Sequence, residues 1–392
     1  MTPASPTLPP SRLRGLDGLR FLAAAMVVGY HYTAVQIPFW GAKPSHVFPA
    51  LSSVTRYGYL GVEFFFIISG FVILMTAYGR KVTDFAASRV SRLFPAYWVA
   101  VAATLLLQAM WDSGRQLTFP EGLLNFTMLE EAFGAPLAQG AFWTLWPELR
   151  FYLLMGVLIV IGMTRTRVIA FAMFWPLLAR LADSTGQGLL KVLLISDYAP
   201  YFALGMMLFL LFRDGTDLVV WMGIGLNLIL TINHSMGYAT RATELVGQPV
   251  VPEVTALIIT VMVVAIWLVS AGPLGRIDWR WLTPLGALTY PLYLVHGQFG
   301  FFIIDKVYDT LPAYVVLALA IVCSLAIAAA IHYLVERRWT DPVRRAVRHA
   351  LTRPALLAER VDRTTPKPHP AQSGAIADRH LVEEAPLEVA RD

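Results

Sequence analysis

LPAYVVLALAIVCSLAIAAAIHYL, residues 311–334, contains no Lys, Arg, Asp or Glu. A helix needs about 20 largely apolar residues to cross the hydrocarbon of a bilayer, and this stretch supplies them. Working back toward the N-terminus, comparable stretches stand at 283–303, 253–271, 218–235, 196–212, 167–182, 143–162, 94–111, 60–78 and 16–37. The sequence therefore predicts an all-α, polytopic integral membrane protein with about ten transmembrane helices; the boundaries within 167–212 are the least distinct. Composition agrees. Of 392 residues, 57% are apolar and only 15% charged, where a soluble domain carries about a quarter charged residues. The 11 Trp, 15 Tyr and 22 Phe suit rings placed at headgroup level.

Charge sets the expected orientation. With the N-terminus in the cytoplasm, the cytoplasmic segments hold Arg12, Arg14, Arg80, Lys81, Arg89 and Arg92, and the run Arg337, Arg338, Arg344, Arg345 and Arg348 follows the last span. The opposite loops are poorer in basic residues and carry Glu121, Glu130, Glu131 and Glu244. By the positive-inside rule both termini are cytoplasmic. The net charge of +5 reads as membrane topology rather than a nucleic-acid footprint. Residues 1–15 form a short cytoplasmic segment with no evident cleavable signal. Residues 16–339 form the membrane domain, and the Pro-, Arg- and Glu-rich residues 340–392 read as a disordered cytoplasmic tail. The single cysteine, Cys323, excludes an internal disulfide.

Ionisable residues inside spans carry the functional signal, because a charge near the bilayer centre costs several kcal/mol unless it faces a cavity or a partner. The first span holds Asp17, Arg20 and His31. Arg20 and His31 are eleven residues apart, which returns them to one helical face about 16 Å apart along the axis. Depth arithmetic places His31 about 8 Å, Glu148 about 7 Å and His296 about 10 Å from the outer face. A His–Glu–His group at one height suits general acid/base chemistry on a hydroxyl. The same three residues are candidate zinc ligands, but they lack the i, i+3 or i+4 pairing common in helical metal motifs, so no metal is expected. A snorkelling arginine and a structural histidine are the bland alternative.

Two further stretches matter. In GVEFFFIISGF, residues 61–71, Glu63 lies near the outer end, and Ser69-Gly70 at mid-depth allow a hydrogen bond and close backbone approach. In the cytoplasmic loop FAASRVSRLFPAYW, residues 85–98, Arg89 and Arg92 share a face if the segment is helical. Such a pair grips phosphates through forked hydrogen bonds, or else anchors the chain at lipid headgroups.

Five stretches in order resemble the bacterial acyltransferase 3 family of membrane O-acyltransferases. LDGLRFLAAAMVVGYH, residues 16–31, matches its arginine–ten residues–histidine pattern at Arg20 and His31. GVEFFFIISGFVI, residues 61–73, and the paired arginines Arg89 and Arg92 follow. FWTLWPELRFY, residues 142–152, matches at Trp143, Leu145, Glu148, Phe151 and Tyr152. LGALTYPLYLVHG, residues 285–297, brings Tyr290, Tyr293 and His296, and VERRW, residues 335–339, is a looser match. Thr144 stands where serine is common, Arg150 is an unusual charge that either tunes the outer pocket or anchors its helix, and the esterase-like domain of some members has no counterpart.

The resemblance implies transfer of an acyl group, acetyl by family frequency, from cytoplasmic acyl-coenzyme A as co-substrate to a hydroxyl of a sugar, glycolipid or secondary-metabolite acceptor. It implies that Arg20, Arg89 and Arg92 bind the donor, that His31 is the catalytic base or an acyl carrier, and that Glu148 and His296 orient it or hold the acceptor. Membrane lipid is the other expected partner. A polysaccharide or small-solute transporter is the competing class, although residues 1–195 and 196–340 show no obvious internal repeat. A membrane sensor or assembly partner with no chemistry is a third.

Overall fold

A computed structural model describes residues 13–276 and 278–364, with side chains through Thr352. Among the described residues there is no strand. Ten long helices fall on the ten apolar stretches: α1 Arg14–Thr33, α2 Leu60–Ala77, α3 Val82–Gln108, α4 Leu145–Ile161, α5 Arg165–Ser184, α6 Ala199–Asp214, α7 Leu218–Val246, α8 Pro252–Ser270, α9 Leu282–Val307 and α10 Ala313–Ile331. Among the described residues, seven helical stretches are long and apolar enough to cross a membrane. The other three long helices are α1, α5 and α6. α1 carries Arg14, Asp17 and Arg20, α5 carries Arg165, Arg167, Arg180 and Asp183, and α6 has only 16 residues.

α6 is the bundle's central post: every residue from Ala199 to Leu211 is buried. It meets α2 through two glycines. A Cβ on Gly70 would collide with the Phe202 carbonyl, and one on Gly205 with the Ile67 carbonyl. Small residues at this crossing let the backbones touch, which is how helices associate where no hydrophobic force separates helix from lipid. The mid-depth glycine of α2 thus serves the close approach expected of it. On the other side of α6, Phe202 stacks on Phe151 of α4 at 4.3 Å between centroids, and Phe151 lies parallel to Trp175 of α5.

Two expectations about irregular segments need correction. Residues 85–93 are not a loop: α3 begins at Val82 and runs through Pro95, so Arg89 and Arg92 stand on a helix. Nor is the whole C-terminal tail irregular. A π-helical turn, His332–Glu336, leads into α11, Arg337–Thr364. The physical reason is a stripe at four-residue spacing, Trp339, Val343, Val347 and Leu351, with arginines on the remaining faces. Arg348 pairs with Asp84 at the start of α3 at 2.9 Å. Residues 1–12 and 365–392, where the rest of the terminal segments was read, lie outside the described residues.

The segment before α4 also departs from expectation. Ala138, Gln139, Ala141, Phe142 and Thr144 are all buried, so the chain enters the bundle before α4 starts. Gly140–Thr144 is a short 3-10 turn, and the backbone leading into it must find its partners inside the protein. Ala138 meets that need, its N–H donating to Asn125 at 2.7 Å and its carbonyl accepting from Gln108 at 2.9 Å, while the Gln139 side chain donates to Thr104 at 2.9 Å and accepts from the Gln298 amide at 3.2 Å.

Candidate functional site

α1 and α9 run parallel and in close register. Asp17 faces Gly286 near their N-termini, and Tyr32 faces Gly300 farther along, where any Cβ would collide with the tyrosine hydroxyl. That hydroxyl donates to the His296 carbonyl at 2.6 Å and lies 2.8 Å from Ser324 of α10. Three helices are pinned at this level, and the pin brings His31 against His296.

The histidines are in contact, His31 Nδ1 lying 3.1 Å from His296 Nε2. Their tautomers follow from the carbonyls around them. His296 Nδ1 lies 2.9 Å from the Tyr293 carbonyl and 3.2 Å from that of Leu292. Carbonyls only accept, so Nδ1 carries the proton and a neutral His296 presents Nε2 as an acceptor. His31 Nδ1 must then donate, sharing its proton between His296 and the Val27 carbonyl 3.0 Å away. A neutral His31 is left with its lone pair on Nε2, the form a general base requires.

The carboxylate expected beside them is elsewhere. Because residues 138–144 fold into the bundle, α4 starts deep, and Glu148 faces a cavity on the basic side of the histidines. There it accepts from the Tyr152 hydroxyl at 2.6 Å and, more weakly, from Ser69 at 3.5 Å. It makes no hydrogen bond to either histidine among the described residues. The three residues read as one cluster thus divide into a histidine pair and a separate carboxylate.

The cavity, about 260 Å³, is lined at one end by Arg20, Arg89, Arg92 and Arg344 and in its middle by Ser69, Glu148 and Tyr152. Arg20 is within electrostatic reach of Asp17, Arg92, Glu148 and Tyr152. The Arg89 guanidinium lies over the Phe85 and Tyr152 rings, 5.7 and 5.8 Å from their centroids, and its buried Nε has no hydrogen-bond partner among the described residues. Arg92 is 3.9 Å from Glu336, which His332 contacts at 2.7 Å across the π turn. A second, wider depression shares Arg20 and Arg92 with the first. All three arginines singled out from the sequence therefore meet at one place. Arg344 and Thr340 of α11 join them, and sequence reading missed both by assigning them to a disordered tail.

The cavity's other end is closed by a small layer of Val27, Ala141 and Tyr293, packed with Val62 and Phe65. The Tyr293 hydroxyl is fixed between Thr144 at 2.7 Å and the Ala141 carbonyl at 2.8 Å. His31 stands four residues beyond Val27 and His296 three beyond Tyr293, so the histidine pair lies one helical turn past the closed end. Arg150 does not line the cavity: it covers the Trp146 ring and donates to the Val192 carbonyl, anchoring α4 to the short helix Gly188–Leu193.

The profile of a family described as an acyltransferase domain, acyltransferase 3, matches residues 13–333. Among curated proteins the chain is similar to "Putative peptidoglycan O-acetyltransferase YrhL" of Bacillus subtilis (strain 168), 27% identical over 169 residues, which are 38% of this chain and 24% of that protein. It is also similar to "Protein 2 in picA locus" of Rhizobium radiobacter, 38% identical over 101 residues, 24% of this chain and 44% of that one. In both cases the match spans less than half of the relative's length. No solved structure matches.

Proposed function

Because the chain belongs to the acyltransferase 3 family, we propose that it moves an acyl group from cytoplasmic acyl-coenzyme A to a hydroxyl of a sugar or glycoconjugate. The work is done inside a ten-span bundle of the bacterial inner membrane with both termini in the cytoplasm. The observation that carries this reading is a cavity with four arginines at its mouth and a histidine pair one turn beyond its closed end. Pockets that hold a drug-sized ligand whole measure about 300–1,000 Å³. A space of about 260 Å³ suits the acyl-pantetheine arm, while the nucleotide and its phosphates stay at the mouth with Arg20, Arg89 and Arg92, where forked guanidinium hydrogen bonds suit phosphate oxygens.

Transfer then follows simple bookkeeping of bonds. His31 Nε2 takes the proton of the acceptor hydroxyl, whose oxygen bonds to the thioester carbonyl carbon. The carbon–sulfur bond breaks, and coenzyme A leaves as a thiolate that takes that proton from His31, restoring the neutral base. His296 holds His31 in the tautomer this step needs. Glu148 and Tyr152 line the path of the acyl-bearing arm. The name carried by the Bacillus relative supports a sugar-polymer acceptor and an acetyl group.

The test is release of free thiol from acetyl-coenzyme A by the purified protein in nanodiscs, with mass spectrometry of cell glycans made with and without the protein. Wild type should release thiol and leave esterified glycan. His31→Ala should lower transfer by about 10²–10⁴-fold, the usual worth of a positioned base, while eluting as a folded protein. Near-normal transfer by His31→Ala would remove the histidine from the chemistry. An inert wild type would reject acyl transfer and favour transport.

A further inference from the structure

Far from the arginines, α2 begins with a second polar group that the transfer chemistry does not use. Glu63, in the first turn of α2, is only 5% exposed, and its Oε2 is buried without a hydrogen-bond partner. No basic side chain is among the groups that act on it. It sits among tyrosines instead, within electrostatic reach of Tyr30, Tyr59, Tyr198, Tyr201 and Tyr238. These rings are in contact: Tyr30 to Tyr59 edge-on at 5.9 Å, Tyr59 to Tyr238 tilted at 5.6 Å, and both Tyr198 and Tyr201 edge-on to His234, at 5.9 and 5.7 Å.

Hydrogen bonding in this ring is uneven. Tyr201 is satisfied by Ser235 at 2.6 Å and His234 at 3.0 Å, and Tyr59 reaches Thr255 at 3.4 Å. The hydroxyls of Tyr30, Tyr198 and Tyr238 form no side-chain hydrogen bond among the described residues. Of these groups only the Glu63 oxygen is both buried and unpartnered among the described residues, the three phenol hydroxyls being accessible. Buried polar groups are nearly always paired with protein or ordered water, and an unpaired carboxyl in apolar surroundings is costly. One carboxyl and three phenols left open around the same point mark a place where something polar binds. The ring also touches the histidine pair, for the Tyr30 and His31 rings are 5.4 Å apart.

We propose that Glu63 and the surrounding tyrosines form the acceptor subsite, and that it takes a hydroxyl-rich carbohydrate. Aromatic faces cover the C–H faces of a sugar ring, while the carboxyl and phenol groups exchange hydrogen bonds with its hydroxyls. A bound sugar at Tyr30 is one residue from His31, so a neighbouring hydroxyl reaches the base. The opposing occupant is a cation, which aromatic rings and a carboxylate also attract. A cation needs the ring faces and the charge but not the phenol hydroxyls, and that difference separates the two.

This inference rests on the O-acyl transfer reading, and the experiment keeps the two apart. Cells expressing wild type, the double variant Tyr198→Phe with Tyr238→Phe, Glu63→Gln, or the remote control Tyr314→Phe are compared for glycan ester content. The purified proteins are compared for acetyl-coenzyme A affinity. Each lost hydrogen bond to a hydroxyl is worth about tenfold when it leaves a buried partner open. The Phe double variant and Glu63→Gln should therefore lower ester content about tenfold or more, with donor affinity within about twofold of wild type. The control should match wild type. Undiminished esters in the Phe double variant would overturn the carbohydrate subsite, and a further collapse confined to Glu63→Gln would assign the ring to a cation. A matching loss of donor affinity would make the ring structural. A wild type that consumes no thioester would reject acyl transfer itself.

Discussion

His31 takes its orientation from His296 and the Val27 carbonyl, not from a carboxylate. Its pattern with Arg20 was legible because eleven residues bring two side chains back to one helical face, and that face does line the interior. The height shared with Glu148 was not legible, because depth counted from an assumed helix start fails when the preceding backbone is itself inside the bundle. Buried Gln139 and Thr144 were the clue, two polar residues flanking the last turn before the helix. Arg344 was beyond reach, since its place at the cavity depends on a helix docked after the last span. It pairs with Asp341 at 2.6 Å in an exposed position, a pair worth little and easily exchanged for a phosphate. Arg344→Ala should raise the KM for acetyl-coenzyme A about tenfold, the scale of one charge-assisted hydrogen bond, with kcat nearly unchanged. With the 3′-dephospho thioester the variant and wild type should converge if Arg344 reads that phosphate. An equal penalty on both donors would place its contact elsewhere on the coenzyme, and no penalty on either would remove it from the site.

At the scale of elements, the apolar stretches marked α1 to α10, because hydropathy and helical length act together in a membrane. What they could not mark was polar helix outside the hydrocarbon: the first turns of α3 and the whole of α11 are helical without being apolar. Composition favoured disorder for residues 340–364, yet the four-residue spacing from Trp339 to Leu351 was present all along and was hidden by the arginines around it. Among the described glycines, Gly70 and Gly205 at the crossing of α2 and α6 leave the least room against backbone. Gly70→Val should cost about 3 kcal/mol, at the upper end of overpacking penalties, because the obstacle is the Phe202 backbone carbonyl and no side chain can swing aside. A lowered thermal midpoint and loss of monodisperse elution in detergent would show it. A variant as stable as wild type would mean that the two helices can separate, and that α6 is not the fixed post described above.

For the whole molecule, the central fact is that the arginine-lined cavity stops short of the histidine pair, neither histidine being among its lining residues. Tyr293, held by Thr144 and the Ala141 carbonyl, stands between them. Tyr293→Phe removes both hydrogen bonds while keeping the ring. It should raise acceptor-independent release of thiol from acetyl-coenzyme A several-fold, about the effect of one or two neutral hydrogen bonds, while lowering the fraction of turnovers that end in ester. Unchanged background release would mean that the layer does not restrain the donor. The layer has a metabolic meaning. An activated thioester lying open to a base and to water on the far side would be hydrolysed continuously, draining the cell's acyl supply with nothing made. A tyrosine wedge that yields only when an acceptor is in place would turn a leak into a coupled reaction, much as an airlock lets cargo cross without venting the cabin.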